Sequence, residues 1–507
     1  MLTGPDAGDT TQDHLPVQLT EEVPGLRAQV TSGLRWGMVD QGFQQFARLA
    51  ILAVLTKLVA PADFGIIAMA FIVTQLADLL GDLGFGSALV HRRELSPEHV
   101  TTATTLSGLA GLLMAAVVAW SSPHLASFFE EPDLHPVLLV MSLTFIFRAL
   151  QGAPRQLLQR ELRFRPIVVS TVIAVSVGGV AGVVLAFLGA GVWALVAYSL
   201  GETFVAFVAV ALAALRAGVW HPRIGINRAA AADLAGFGAY SSGFRLIYYG
   251  QTNIDNLIVG KVLGATALGF YGLAYRLMLF PIQKVADVVW SVVFPAFSSI
   301  QHDIARIRTA FCRAIRSIAL LCFPASLGIA VTAPVLIPLV FGSRWLPAVA
   351  TVQILALNGP RIAMNRLNGA VYSAIGKPSL DFWMAATGFF FYVIGFAVGV
   401  GHGIAGVATG FTVAGYLLLP VSLGLVARTL QTRVHILLMT VVPVAAASAA
   451  MALCAWLALV MVPESTGFGL RFAASVAGGG TAYSAYLLMF APHLLTDARD
   501  DLLNRVR

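Results

Sequence analysis

Charged side chains are scarce in this chain. Asp, Glu, Lys and Arg make up 11% of its 507 residues, against 58% hydrophobic ones, where an ordinary soluble domain carries roughly 25% charge. That shortage excludes a cytosolic enzyme, a nucleic-acid binder and a disordered scaffold, because so much apolar surface has no place in water. Cysteine is scarce as well: Cys312, Cys322 and Cys454 are the only three, an odd set with neither a disulfide framework nor metal-ligand spacing. They read as small hydrophobes. Also missing are a His-Glu-x-x-His, a paired CxxC and a catalytic-serine elbow. Gly401-His-Gly403-Ile-Ala-Gly406 has dinucleotide-fingerprint spacing, but no strand precedes it, so it reads as a turn between helices. Gly376-Lys377-Pro378 lacks the flanking residues of a phosphate loop. The first 31 residues lack a basic segment followed by an apolar one, so no cleaved signal is expected, and no cofactor either.

What the chain has is long apolar runs. Segments of about 20 apolar residues, the length that spans a bilayer, predict an all-α polytopic membrane protein with about fourteen transmembrane helices, from 35–58 to 469–490. Short turns are expected near Gly189–Gly191 and Gly399–Gly403. Alternate loops are arginine-rich, as at Arg155–Arg165, Arg306–Arg316 and Arg428–Arg433. The intervening ones are nearly free of basic residues, and one carries Glu130, Glu131 and Asp133. The positive-inside rule then places both termini in the cytoplasm. Anionic lipid headgroups attract such basic loops, so membrane lipids are expected partners and nucleic acid is not.

A weak internal repeat organises the spans. Lys57-Leu-Val-Ala-Pro-Ala-Asp-Phe-Gly65 recurs 204 residues later as Lys261-Val-Leu-Gly-Ala-Thr-Ala-Leu-Gly269. Both stretches join the first two helices of a six-helix half. The expected organisation is a disordered cytoplasmic tail over 1–31 and six-helix bundles over 32–216 and 217–428. Two additional helices follow over 429–495, then a cytoplasmic tail over 496–507. Six plus six is the plan of many secondary transporters, with the substrate between the repeats.

An ionisable group at mid-bilayer costs roughly 2.5–3.5 kcal/mol, so it faces a cavity or a partner. Several here share helix faces. Asp40, Gln44 and Arg48 follow four-residue spacing in the first span. Gln75, Asp78 and Asp82 share a face of the second, Arg276, Gln283 and Asp287 one of the eighth, and Asn358, Arg361, Asn365 and Asn368 one of the tenth with Arg366 beside them. Arg245 and Asp255 in the seventh span, Lys284 in the eighth, Arg148 and Glu202 extend the set. Distance from the hairpin turns predicts two ion pairs, Arg48 with Asp78 and Asp255 with Arg276. The arginines of the tenth span have no acid nearby in sequence, which points to solvated lining, to pairing with Glu202 or Asp287, or to an anionic ligand, since guanidinium matches phosphate geometry.

Asp63-Phe-Gly-Ile-Ile-Ala, Asn253-Ile-Asp-Asn-Leu-Ile-Val-Gly-Lys-Val-Leu-Gly, Leu268-Gly-Phe-Tyr and Phe341-Gly-Ser-Arg-Trp345 resemble the Wzx-type polysaccharide exporters of the multidrug/oligosaccharidyl-lipid/polysaccharide (MOP) superfamily, over roughly residues 32–495. The resemblance implies two six-helix bundles in a V, as in multidrug (MATE) transporters. It also implies flipping of undecaprenyl-pyrophosphate-linked oligosaccharides across the inner membrane.

The expected function is therefore such a flippase, not an enzyme. Arg48, Arg276, Arg361 and Arg366 neutralise the pyrophosphate, and Gln44, Asn358, Asn365 and Asn368 meet sugar hydroxyls. Asp78, Asp255 and Asp287 hold the arginines or bind a coupling ion. The lipid-linked oligosaccharide is the expected partner, with the polymerase and glycosyltransferases of its pathway. Two alternatives stand beside this reading: a cation-coupled drug antiporter, which needs an acidic or aromatic pocket, and a membrane glycan polymerase or ligase, which needs a large outer loop.

Overall fold

The computed structural model describes the backbone of residues 26–81, 96–229 and 239–490, with side chains over 42–79, 96–229, 249–250, 252–282 and 297–490. Every regular element among these is helical, as the apolar runs require. In a bilayer the backbone has no water to bond, so each span must satisfy its own N–H and C=O groups. The first elements are α1 (Leu26–Leu58) and α2 (Pro61–Gly81), the latter opening on a proline whose missing N–H costs nothing at that position. Ser96 caps α3 (Pro97–Phe129), its side chain accepting from the His99 N–H, and Glu130 ends the helix in the left-handed region. The next rod is α4 (Leu134–Met141) continued by α5 (Leu143–Arg160). Then come α6 (Phe164–Phe187) and α7 (Val192–Arg216), joined through the expected turn, where Gly189 and Gly191 adopt φ of 77° and 56°.

After an extended segment pinned to α3 by bonds from the Gly225 and Asn227 N–H groups to Thr105 and Thr102, α8 runs over Ala239–Ser299. It breaks at Gly264, whose φ of 83° and ψ of 179° leave the helical region. The chain reverses there. Tyr271 hydrogen-bonds Asp255 at 2.9 Å, two residues that a straight helix would hold about 24 Å apart. Asp303 caps α9 (Ile304–Val340) by accepting from the Arg306 N–H. The tenth expected span is not one helix. A 3-10 turn (Ser343–Ala348) leads into α10 (Val349–Ala356), α11 (Gly359–Asn365) and α12 (Asn368–Ala374). The described residues close with α13 (Ser379–Gly399), α14 (Gly403–Thr429), α15 (Val434–Met461) and α16 (Phe468–Phe490).

Among the described residues, nine runs are long and apolar enough to cross a membrane, and two of these, 252–282 and 379–429, contain a reversal. Large side chains such as Phe187, Val398 and Met461 are more than two-thirds exposed, the surface a bilayer covers. Small residues set the closest helix pairs. On α13 and α14, a Cβ on Gly399 would meet the Gly406 carbonyl oxygen at 2.2 Å, and one on Gly410 would meet that of Gly395 at 2.0 Å. The largest buried cluster joins Leu55, Phe64, Leu268 and Trp345 across sequence-distant helices. A second binds α15 and α16 onto α9 through Ile315, Val444 and Leu487.

Candidate functional site

Arg48 lies ten residues before the end of α1 and Arg276 twelve after the Gly264 turn, about 15 and 18 Å below that end of the bundle at 1.5 Å per residue. Both depths fall near the middle of a hydrocarbon core of about 30 Å. The Arg48 Nη2 donates to Glu202 Oε1 on α7 at 2.7 Å, with half of the Arg48 side chain accessible. Glu202 is placed by the packing of α6 on α7, where a Cβ on Gly178 would meet the Glu202 N–H nitrogen at 2.7 Å. One turn earlier, Tyr198 is within electrostatic range of Arg48, Glu202 and Arg276. Arg276 is exposed although Ala274, Leu277 and Met278 around it are buried, so one face of this helix opens on accessible space. Gln44, a turn before Arg48, is half-buried. Arg148 on α5 forms an ion pair with Asp78 on α2.

Both sequence-based pairings are therefore corrected. Arg48 joins Glu202 and Asp78 joins Arg148, because α1 packs against α6 rather than along α2. Asp255 is 2% exposed and accepts from the Tyr271 hydroxyl and the Asn256 N–H, and it makes no ion pair with Arg276. Counting residues from a turn gives depth but not the direction a side chain takes around the helix axis.

The tenth-span stripe divides from this cluster. Arg361 is 4% exposed. Its Nε and Nη2 donate to Asn358 Oδ1 at 3.2 and 3.0 Å and its Nη1 to the Tyr392 hydroxyl at 2.9 Å, while the guanidinium lies 5.3 Å from the Phe411 ring centre. Asn358 donates to Thr412 at 2.7 Å. Asn368 donates to Ser422, and Ser422 to Asn365. The sequence-based reading of an unpartnered, water-lined or acid-paired Arg361 gives way to a cation held by neutral acceptors and aromatic faces of α13 and α14. Arg366 is half-buried. Asp40, Asp82, Arg245, Gln283, Lys284 and Asp287 lie outside the residues whose side chains are described.

At the far end of α3, the Lys261 ammonium donates to Glu130 Oε1 at 2.6 Å and sits 5.4 Å from the Phe128 ring centre. The hydrogen bond and charge of Lys261 hold the Glu130 carboxyl below its ordinary range, whereas burial and Asp133 raise that of Glu131. Sequence reasoning missed Tyr198, Tyr392 and Phe411, since a search for charge passes over neutral partners, while Tyr271 lay in view within the Leu268–Tyr271 motif. Trp345 lay in view within the Phe341–Trp345 motif.

A family model described as "Polysaccharide biosynthesis protein" matches residues 54–350, more than half of the chain. The Escherichia coli lipopolysaccharide biosynthesis protein WzxC is 27% identical over 76% of this chain and 78% of its own length. The Bacillus subtilis teichuronic acid biosynthesis protein TuaB is 26% identical over 71% and 74%. Among solved structures, the lipid II flippase MurJ in an inward closed conformation superposes with a TM-score of 0.73 at 15% identity, covering 90% of this chain and 99% of that one. An inward-facing MATE family transporter of the MOP superfamily gives 0.55 at 16%, over 77% and 96%. The chain belongs to the polysaccharide biosynthesis protein family and has the multi-pass helical fold of the MOP superfamily.

Proposed function

We propose that this protein is a flippase for undecaprenyl-pyrophosphate-linked oligosaccharide repeat units at the bacterial inner membrane, with both termini in the cytoplasm. The observation that carries the reading is the accessible pair Arg48 and Arg276, near mid-membrane on helices from different halves of the chain, with Glu202 as the carboxylate on Arg48 among the described residues. A pyrophosphate arriving there displaces Glu202 and gains paired N–H donors. In this reading Gln44, one turn from Arg48, and Tyr198, one turn from Glu202, meet polar headgroup atoms. Asp78 holds Arg148 when the site is empty, and Asp255, buried against Tyr271, is the candidate for a coupling proton or cation. Arg361, Asn358, Asn365 and Asn368 brace the tenth span in this conformation, and they reach the substrate only if α13 and α14 move away.

The names of the relatives support a lipid-linked glycan as cargo, and the cation-rich interior weighs against organic cations. The discriminating experiment reconstitutes the protein in vesicles with a fluorescent polyprenyl-pyrophosphate oligosaccharide and scores protection from an external quencher. Wild type moves the label. Arg276→Ala at equal protein density reduces the rate at least ten-fold. An unchanged rate in that variant, or preferential movement of a cationic dye, overturns the reading.

A further inference from the structure

The two copies of the internal repeat meet each other. A Cβ built on Gly65 would lie 1.7 Å from the Ala265 carbonyl oxygen, and one built on Gly269 would lie 2.0 Å from the Pro61 carbonyl oxygen. Gly65 and Gly269 are equivalent positions 204 residues apart, and so are Pro61 and Ala265. Each glycine therefore receives the backbone of the opposite repeat at the position matching the one its partner receives, the self-complementary arrangement of a two-fold contact. Ala70 and Ala274, again equivalent, are both fully buried.

Trp345 caps this contact. It is 0% exposed and presents its edge or face to Phe64 of one repeat at 5.3 Å and to Phe270 of the other at 5.7 Å, and its indole N–H donates to the Thr56 carbonyl at 2.9 Å. Directly beneath, the space bounded by Leu52, Ala68, Leu273 and Arg276 narrows to about 20 Å³, room for one water.

We propose that Gly65 and Gly269 form a backbone seam, latched by Trp345, that closes the outer end of the translocation path and parts once in each transport cycle. The proposal rests on the flippase reading for its purpose, but its test needs no cargo. Any side chain at either glycine holds the two carbonyls off, so the closed form loses population while the open form, with the repeats apart, is untouched. By the two-fold relation, Gly65→Ala and Gly269→Ala act alike.

The test places a reporter cysteine at Ala68 in a chain whose Cys312, Cys322 and Cys454 are replaced by alanine, and follows labelling by a membrane-impermeant maleimide in spheroplasts. The reference labels slowly. Gly65→Ala and Gly269→Ala each raise the rate at least ten-fold, and to within two-fold of each other. Gly272→Ala, where an added Cβ meets nothing within 4 Å, leaves it unchanged. Trp345→Phe keeps a ring but loses the bond to Thr56, and raises the rate several-fold even where the glycine variants fail to reach the membrane. Labelling unchanged in Trp345→Phe and in whichever glycine variants are recovered overturns the seam, as does acceleration seen only in inverted vesicles. Loss of export without faster labelling counts against it too.

Discussion

Arg48 on α1 and Glu202 on α7 meet at 2.7 Å, and the carboxylate competes with any anion for the same guanidinium. Both groups remain partly accessible, so the pair contributes little to stability, about 0–1 kcal/mol for exposed pairs. Its weight falls on binding. Glu202→Gln is expected to tighten binding of a soluble pyrophosphate headgroup analogue several-fold by calorimetry in detergent, with unchanged melting temperature. Arg48→Gln weakens it at least ten-fold. Weaker binding in Glu202→Gln would place the carboxylate on the sugar rather than against the phosphate.

Arg361 is a different kind of arginine. Its removal leaves Asn358 and Tyr392 short of a partner and empties a space that a Cβ on Gly415 would enter, 2.4 Å from the guanidinium carbon. Arg361→Ala is expected to cost about 2–4 kcal/mol, read as a clear fall in melting temperature in detergent. Arg361→Lys does not restore it, since an ammonium offers neither the fork to Asn358 nor a flat face to Phe411.

The α13–α14 contact is set by paired glycines. Gly406→Ala brings a methyl to 2.1 Å from the Gly399 carbonyl oxygen and is expected to lower the melting temperature by several degrees. Gly401→Ala, with open space around it, leaves it within experimental error. Equal melting temperatures would show that the two helices separate without penalty.

Glu130 gives a pH dependence of known sign. Lys261 lowers its carboxyl below the ordinary 4.5, so the link contributes above that value and is lost as pH falls through the lowered one. The melting-temperature difference between wild type and Glu130→Gln is expected to be small and flat from pH 8 to pH 5, shrinking only below about pH 4.5. A difference that vanishes near pH 6 contradicts the assignment.

Much of this architecture was legible in the chain. Apolar runs located the helices, and Gly189 and Gly264 mark reversals close to where turn chemistry and the repeat placed them. The charged stripes also picked out polar positions at membrane depth, Arg48, Arg276 and Arg361 among them. Partners were not legible. Arg48 chose Glu202 and Asp255 chose Tyr271 because helix azimuth is decided by packing between distant segments, above all by glycines such as Gly178 that let backbones approach. The broken tenth span escaped for a related reason. An apolar run with asparagines reads as one helix, yet Asn358 and Asn368 bond across to α14 and leave short pieces between.

The single-water void beneath Trp345 has an electrical consequence. The space between Arg276 and Trp345 has room for about one water, too little for a continuous file of water or a relay for protons. The membrane voltage, about 2.3 kcal/mol per charge for each 100 mV, then finds no continuous water path through the seam. A protein that keeps arginines at membrane depth thereby remains an insulator in this conformation, and a cell that carries many copies keeps its proton gradient.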